Sequence, residues 1–195
     1  MRRAGLASWQ MRCDSPQSLL IGLFVRDAAG LRPAAAVDVP PLTPTVEVRA
    51  SLAPLAVPEA SAQWARWWNG ELTRQEGPER GFFVPDARFG DGAELGALVS
   101  ECFEEAVRWS SARKHEEAAA RWSGEPRDDE GDIVRAVEAE IGRRARPFEL
   151  CVTELPVAGA VGWRVSARHV VVSRALRGDA LAYRRWLTPV IRELA

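Results

Sequence analysis

Residues 148–173 read FELCVTELPVAGAVGWRVSARHVVVS and contain the clearest structural signal in the chain. Two runs rich in β-branched and aromatic residues, 148–157 and 163–173, flank the glycine-containing segment 158–162. β-Branched and aromatic residues favour strands, and a short segment with glycines between two such runs is typical of a hairpin turn. We therefore expect a C-terminal β-hairpin that turns near Ala160.

A terminal helix is expected to follow the hairpin. Asp179 can cap its N-terminus, because an aspartate side chain accepts hydrogen bonds from the first free backbone amides of a helix. Beyond it, apolar residues recur at the spacing of a helix that buries one face, and Pro189 is expected to kink or restart that helix. The residues on the buried face are Tyr183, Leu187, Val190, Ile191 and Leu194.

The spacing of apolar residues predicts four more helices before the hairpin. The first is apolar on every side and must be covered all round. The second carries Trp64, Trp67 and Trp68 on one face, where three indoles can bury a large area. Together these elements predict an α+β fold with four or five helices packed on a small antiparallel sheet that includes the hairpin. The expected helix ranges are about 14–30, 58–75, 93–122 and 132–146.

Proline marks the segment between the first two helices. Six prolines fall within residues 32–58, and because proline fixes φ and removes a backbone donor, we expect this segment to be an extended strap. Within the strap, apolar residues from Val46 to Leu52 alternate with polar ones at the period of an edge strand. Residues 1–13 are expected to form a flexible leader, and residues 14–195 a single domain.

Charge and cysteine content exclude several classes of protein. The formal net charge is −1, whereas a nucleic-acid binder needs a basic surface to pair with phosphates. The apolar run 19–25 is too short for a membrane span and lies too far from Arg2 and Arg3 for a signal peptide. Three scattered cysteines do not make a disulfide framework. We therefore expect a cytoplasmic protein with no nucleic-acid or membrane partner.

Tryptophan and arginine are unusually frequent. The chain has eight tryptophans, and 25 of its 26 basic residues are arginines, with Lys114 the exception. Both residue types are enriched at binding hot spots, one for its rigid apolar area and the other for planar, forked hydrogen bonding. A GC-rich coding bias would raise arginine together with alanine, glycine and proline without any selection for binding. The composition favours a protein partner or a homo-oligomer without requiring either.

Two residues of the hairpin could carry catalysis. If the turn is near Ala160, Cys151 lies opposite His169, and a Cys/His pair in contact is the minimal nucleophile and base of a thiol enzyme. On an apolar strand face, however, a free cysteine is usually a small inert hydrophobe and a histidine a core residue with its hydrogen bonds satisfied. We expect structural roles for both, and keep a small hydrolase or thiol enzyme as the alternative function.

No metal or cofactor site is expected. The chain has no CxxC, HxxxH or HExxH pair to supply two ligands locally. The glycines in residues 90–96 open a helix like a dinucleotide fingerprint, but the third comes one position late and no clear strand precedes them. If the acidic run 128–132 belonged to a calcium loop, the side chains at the first and last ligand positions of that loop could not bind calcium. We therefore interpret the run as a solvated loop that caps a helix.

The loop 77–92 combines aromatic and charged residues more closely than any other part of the chain. Loops carry function disproportionately, although its phenylalanines could equally pack over the tryptophan helix. With no catalytic constellation elsewhere, the sequence predicts a non-catalytic protein-binding or interaction module. The predicted binding residues are Phe82, Phe83, Asp86, Arg88, Phe89 and Asp91.

Overall fold

The computed structural model describes residues 9–34, 39–76, 92–122 and 130–195. These residues form six helices and a four-stranded sheet, which confirms the α+β class. The helices are α1 (Gln17–Ala28), α2 (Pro58–Arg74), α3 (Ala93–Trp122), α4 (Glu130–Ile141), α5 (Arg174–Gly178) and α6 (Ala180–Leu194), and the strands are β1 (Trp9–Asp14), β2 (Phe148–Leu155), β3 (Gly162–Ser166) and β4 (His169–Ser173).

The chain divides into two compact units. The sheet unit comprises Met1–Asp14, Glu125–Glu154 and Gly159–Ala195, and contains the strands with α4, α5 and α6. The helical unit comprises Ser15–Gly124 and Leu155–Ala158, and contains α1, α2 and α3. That residues 14–195 form a single domain stays a prediction, which rests on a chain length and an apolar content sufficient for one core.

The sheet is mixed, whereas the sequence predicted an antiparallel one. Its strand order is β1-β2-β4-β3, and β1 runs parallel to β2 with Trp9 opposite Phe148 and Asp14 opposite Thr153. Residues 9–13, which were expected to belong to a flexible leader, therefore form a strand. Every second residue of β1 packs against the core of the sheet unit. In a segment of six residues this alternation is too short to predict a strand. The packed residues are Trp9, Met11 and Cys13.

A C-terminal hairpin is present, but its turn is not at Ala160. β3 pairs antiparallel with β4, with Gly162 opposite Val172, and the chain turns at residues 167–168. β2 lies between β1 and β4 in the sheet. The expected single strand 163–173 is thus two strands. The sequence did not reveal the turn between them, because residues 167–168 include neither glycine nor proline.

α6 has the expected cap and core face. Asp179 accepts a hydrogen bond from the backbone amide of Ala182 at 3.0 Å, and the helix continues through Pro189 without a break. The buried face packs with α4 against the sheet, which confirms the core predicted for this helix. Its fully or nearly fully buried members are Tyr183, Leu187, Val190 and Ile191.

The helical unit is built around α1. Every residue of α1 from Ser18 to Arg26 is buried, as expected for a helix that is apolar on all sides, and α2 and α3 both pack against it. Trp64, Trp67 and Trp68 are also buried, and the rings of Trp64 and Trp68 stack with their centroids 5.1 Å apart. Within the described ranges, no helix is both long and apolar enough to cross a membrane.

The edge strand expected between Val46 and Leu52 does not form. Residues 45–49 have no regular structure and Ala50–Leu52 is a 3-10 turn. The amide of Arg49 donates to the carbonyl of Ala28 at the end of α1, at 2.8 Å. This amide therefore binds a helix end and does not pair with a neighbouring strand. Alternation alone could not reveal that difference.

Candidate functional site

Cys151 and His169 lie on the adjacent strands β2 and β4, where the amide of Cys151 donates to the carbonyl of Arg168 at 2.8 Å. The Nε2 atom of His169 lies 2.8 Å from Thr153 Oγ1. The sulfur of Cys151 accepts a hydrogen bond from Nη2 of Arg12 on β1, at 3.3 Å. The structure therefore brings both predicted residues into one part of the sheet unit, each with a polar partner from a neighbouring strand.

The accessibility of this pair favours structural roles. His169 is 0% exposed and Cys151 is 8% exposed. A catalytic thiolate must reach its substrate, and its base must exchange a proton with it. Since Nε2 of the imidazole is already engaged by Thr153, that nitrogen is not available to take a proton from a thiol.

The other two cysteines, Cys13 and Cys102, belong to no metal-binding cluster of described residues. All three cysteines of the chain are described, and none is in a disulfide. Cys102 is 1% exposed, and burial raises the pKa of its thiol, with Arg49 opposing this effect and Glu101 adding to it. Within the described parts of the chain, no group of three or more histidine, cysteine, aspartate or glutamate side chains could hold a metal ion.

The start of α3, where the glycines suggested a dinucleotide fingerprint, is occupied by Gln63 of α2. Its Oε1 accepts from the amide of Leu95 at 2.8 Å, and its amide nitrogen donates to Glu94. This hydrogen bond from Gln63 is the main reason that the pKa of Glu94 lies below its usual value. A Cβ on Gly92 would overlap the Gln63 side chain. The side chain of Gln63 therefore occupies the start of α3, where a bound pyrophosphate would need free backbone amides.

The six residues of the predicted binding loop, Phe82, Phe83, Asp86, Arg88, Phe89 and Asp91, lie outside the described residues. Asp128 and Asp129 of the acidic run do so as well. Glu130, which was expected in a solvated capping loop, is instead the first residue of α4 and belongs to a largely buried ion network.

That network is centred on Arg177 of α5, which is 9% exposed. Its Nη1 donates to Glu154 Oε2 at 2.8 Å and its Nη2 donates to Glu130 Oε1 at 2.6 Å. Nη1 also donates to the sulfur of Cys13, and the Tyr183 hydroxyl donates to Glu130 at 3.2 Å. These side chains come from β1, β2, α4, α5 and α6, so the network ties all the elements around it together. No local sequence pattern marks it, because its members are far apart in the chain.

The surroundings of Arg177 and Tyr183 shift the pKa of both side chains upward. Burial raises the pKa of the Tyr183 phenol, and the neighbouring Glu130 raises it further while Arg177 opposes both. Burial alone would lower the pKa of Arg177, but Cys13, Glu130, Tyr183 and Glu154 together raise it above the usual arginine value. The guanidinium thus stays charged and the phenol neutral at physiological pH. A general acid or base needs a pKa near the working pH, which neither Arg177 nor Tyr183 has.

The helical unit carries an open cleft beside the strap. Its first basin has a volume of about 730 Å³ and its second about 600 Å³. The two adjoin because both are lined by Gly30, Leu31, Arg32 and Ala34. We call the two basins together the strap cleft. The first is otherwise lined by Arg26, Asp27, Pro33, Val39, Pro40, Pro41, Thr45, Val46, Val48 and Trp64, and the second by Ala56, Pro58, Ser61, Ala62, Ala65, Arg66 and Asn69.

Buried hydrogen bonds fix the strap wall of the first basin. Arg26 donates to the carbonyls of Val39 and Pro40 at 2.7 and 2.8 Å, and its Nε pairs with Asp27 at 2.6 Å. Asp27 also accepts from the amide of Leu42 at 2.7 Å. A wall held in this way loses little further conformational freedom when it binds a ligand.

The second basin is basic. Arg32 and Arg66 both line it and both are exposed. Among the described residues, no aspartate or glutamate lines this basin, and neither arginine forms an ion pair. Ser61 and Asn69 add a hydroxyl and an amide to the lining. The sequence could not single out these two arginines among 25, although the proline-rich strap beside them was evident.

Comparison with protein-family models, with curated protein sequences and with solved structures found no match.

Proposed function

We propose that this chain is a non-catalytic protein-binding module that acts in the cytoplasm and that the strap cleft is its binding surface. The observation that carries the proposal is an open cleft with a wall fixed by Arg26 and Asp27 and with two exposed arginines that pair with no carboxylate in the described chain. Binding clefts typically combine a largely apolar, preformed lining with a few polar groups that set orientation.

The chemistry of the lining supports binding rather than catalysis. The described lining residues of the strap cleft include no cysteine, histidine or lysine. Asp27 is their one carboxylate, and it is already bonded to Arg26 and to the Leu42 amide. Serine and threonine hydroxyls need an adjacent base to become nucleophiles. The alternative, a thiol enzyme at Cys151 and His169, would require solvent access to both side chains, whereas His169 is fully buried and Cys151 is only 8% exposed.

The test is to block the cleft and measure binding. Ala62 is exposed on α2 and lines the second basin, so Ala62→Trp would place a large ring there and obstruct the basin while changing an exposed position. Ala112 is exposed on α3 and does not line the cleft, so Ala112→Trp is a matched control. Random short peptides displayed on phage would be selected against the full-length chain and both variants, with circular dichroism to check that each variant folds.

We expect enrichment of bound peptides on the wild-type chain and on the control, and loss of that enrichment on Ala62→Trp. No enrichment over background on the wild-type chain would contradict the proposal, and so would enrichment that survives in Ala62→Trp. Sedimentation of the same three proteins tests the other partner type. A homo-oligomer that Ala62→Trp dissociates and Ala112→Trp leaves intact would identify a second copy as the occupant of the cleft.

A further inference from the structure

We infer that the strap cleft binds an extended acidic segment of a partner protein, whose carboxylates pair with Arg32 and Arg66. This inference rests on the proposed function and names the chemistry of the partner.

Charge complementarity is the first step of the argument. Arg32 and Arg66 point to an anionic partner because both line the second basin and no described carboxylate there neutralises either one. A guanidinium presents a planar fork of N–H donors that matches a carboxylate bidentately. The arginine of the first basin differs in this respect, since Arg26 is 5% exposed and bonded to Asp27 and to the strap carbonyls. The unmet positive charge of the cleft is therefore concentrated at Arg32 and Arg66.

The size of the lining side chains is the second step. Small residues form most of the second basin, so the main chain of a ligand can approach the walls closely. The two basins adjoin through their four shared residues, which gives room for an occupant longer than a compact small molecule. Both features fit an extended peptide. The small lining residues are Gly30, Ala34, Ala56, Ser61, Ala62 and Ala65.

The apolar character of the first basin is the third step. Prolines and valines line it beside the Trp64 ring, and Val48 among them is 66% exposed, one of two large hydrophobic residues so exposed in the described chain. Apolar side chains of a bound segment would cover this surface. The favoured partner sequence therefore combines acidic residues, placed over the second basin, with apolar residues, placed over the first.

A protein segment is favoured over a nucleic acid. The chain has a net charge of −1, and two arginines in a cleft are few beside the many phosphate contacts that a nucleic-acid site needs. A single-stranded oligonucleotide nevertheless offers the same anionic chemistry. It is therefore included in the test as a competing ligand.

The experiment reads the composition of the peptides selected against the full-length chain and then measures one of them. We expect the selected sequences to be enriched in aspartate and glutamate beside apolar residues. The best of them, labelled with fluorescein, should bind about tenfold more tightly than its Glu→Gln counterpart, because each charge-assisted pair would be lost. Its affinity should fall as salt is raised.

Charge reversal identifies the residues responsible. Arg32→Glu and Arg66→Glu should each weaken the acidic peptide about tenfold or more. Arg108→Glu is the matched control, because Arg108 is an exposed arginine of α3 that does not line the cleft. It should change the affinity less than about twofold.

The outcomes separate this inference from the proposed function. Selected peptides that are apolar and uncharged, and that Ala62→Trp still excludes, would overturn the acidic-segment inference and leave the binding function standing. Affinity that is unchanged in both Arg32→Glu and Arg66→Glu would also overturn it. An oligonucleotide that binds where acidic peptides do not, and that both reversals release, would replace the protein segment with a nucleic acid. Failure of every peptide and of the oligonucleotide would overturn both proposals.

Discussion

Trp67 lies against the backbone of Gly22, so closely that a Cβ on residue 22 would overlap two carbons of the indole ring. The neighbouring Trp64 donates its indole N–H to the Gly22 carbonyl at 2.7 Å. α1 and α2 thus meet at a glycine, and two tryptophans of α2 occupy the space that a side chain at this position would need. This glycine is a packing requirement, since it sits in the middle of a helix where alanine would otherwise be preferred.

Gly22→Ala should destabilise the protein by about 1–3 kcal/mol, because overpacking outweighs the better helix propensity of alanine. Chemical denaturation measures the change. Gly96→Ala on α3 is the matched control, since no atom of the described residues lies within 4 Å of its added Cβ, and it should stabilise by up to about 1 kcal/mol. If the two variants had the same effect, the close contact between Trp67 and Gly22 would be refuted.

Arg177→Leu should cost about 3–5 kcal/mol, because it leaves the carboxylate of Glu154 buried with its principal partner removed. Glu154 is 2% exposed, and its next cation, Arg174, lies 3.6 Å away. The matched control is Arg192→Leu, which breaks an exposed pair with Glu140 and should cost no more than about 1 kcal/mol. Similar losses in the two variants, measured by urea unfolding, would show that the Arg177 network adds nothing beyond a surface pair.

Tyr183 makes the stability of the protein sensitive to alkali. Burial, reinforced by Glu130, raises the pKa of this phenol in the folded state, whereas an unfolded tyrosine titrates near pH 10. The folded protein therefore holds a proton that the unfolded chain releases. The stabilisation that depends on Tyr183 should be complete below about pH 10 and should decline as the pH rises further.

Tyr183 is the only tyrosine of the chain, so absorbance near 295 nm reports on it alone as tyrosinate. We expect no tyrosinate signal in the folded protein between about pH 10 and 11, followed by its appearance together with unfolding measured by circular dichroism. A Tyr183→Phe variant should lose less stability than the wild type over the same rise in pH. A titration near pH 10 in protein that remains folded would contradict the buried, neutral phenol.

Iodoacetamide should modify Cys13 before the other two cysteines in the native protein. Cys13 is half-buried, whereas Cys151 is 8% and Cys102 1% exposed. Burial also raises the pKa of the Cys102 thiol, which lowers its reactive thiolate fraction at neutral pH. Mass spectrometry of timed samples gives the order, and unfolding in urea should make all three rates similar.

Cys151 is the cysteine that decides between the structural and the enzymatic interpretation. Rapid, saturable modification of Cys151, lost in a His169→Ala variant of unchanged stability, would support the thiol-enzyme alternative. Slow modification that only unfolding accelerates is the result we expect.

Local patterns predicted the five longer helices and the class of fold they build. They did not predict the short helix α5, and α4 spans Glu130–Ile141 rather than the expected 132–146. α2 and α3 begin at the residues expected, α1 is buried on every side as its sequence requires, and Asp179 caps the last helix. Each of these features depends on residues within a few positions of one another, where helical spacing, a cap or a proline acts directly. For the same reason the burial of the three tryptophans could be expected from their spacing alone.

Only the tertiary structure decided which strands pair and which polar side chains meet. The six residues of β1, around Met11, form a strand because they pair with the edge of β2. The hairpin turn lies at residues 167–168 and not at Ala160, because β4 pairs with β3 on one side and lies next to β2 on the other. The Arg177 network and the strap cleft likewise assemble side chains from distant segments. Pairing and charge complementarity of this kind depend on long-range geometry, which no spacing along a single chain encodes.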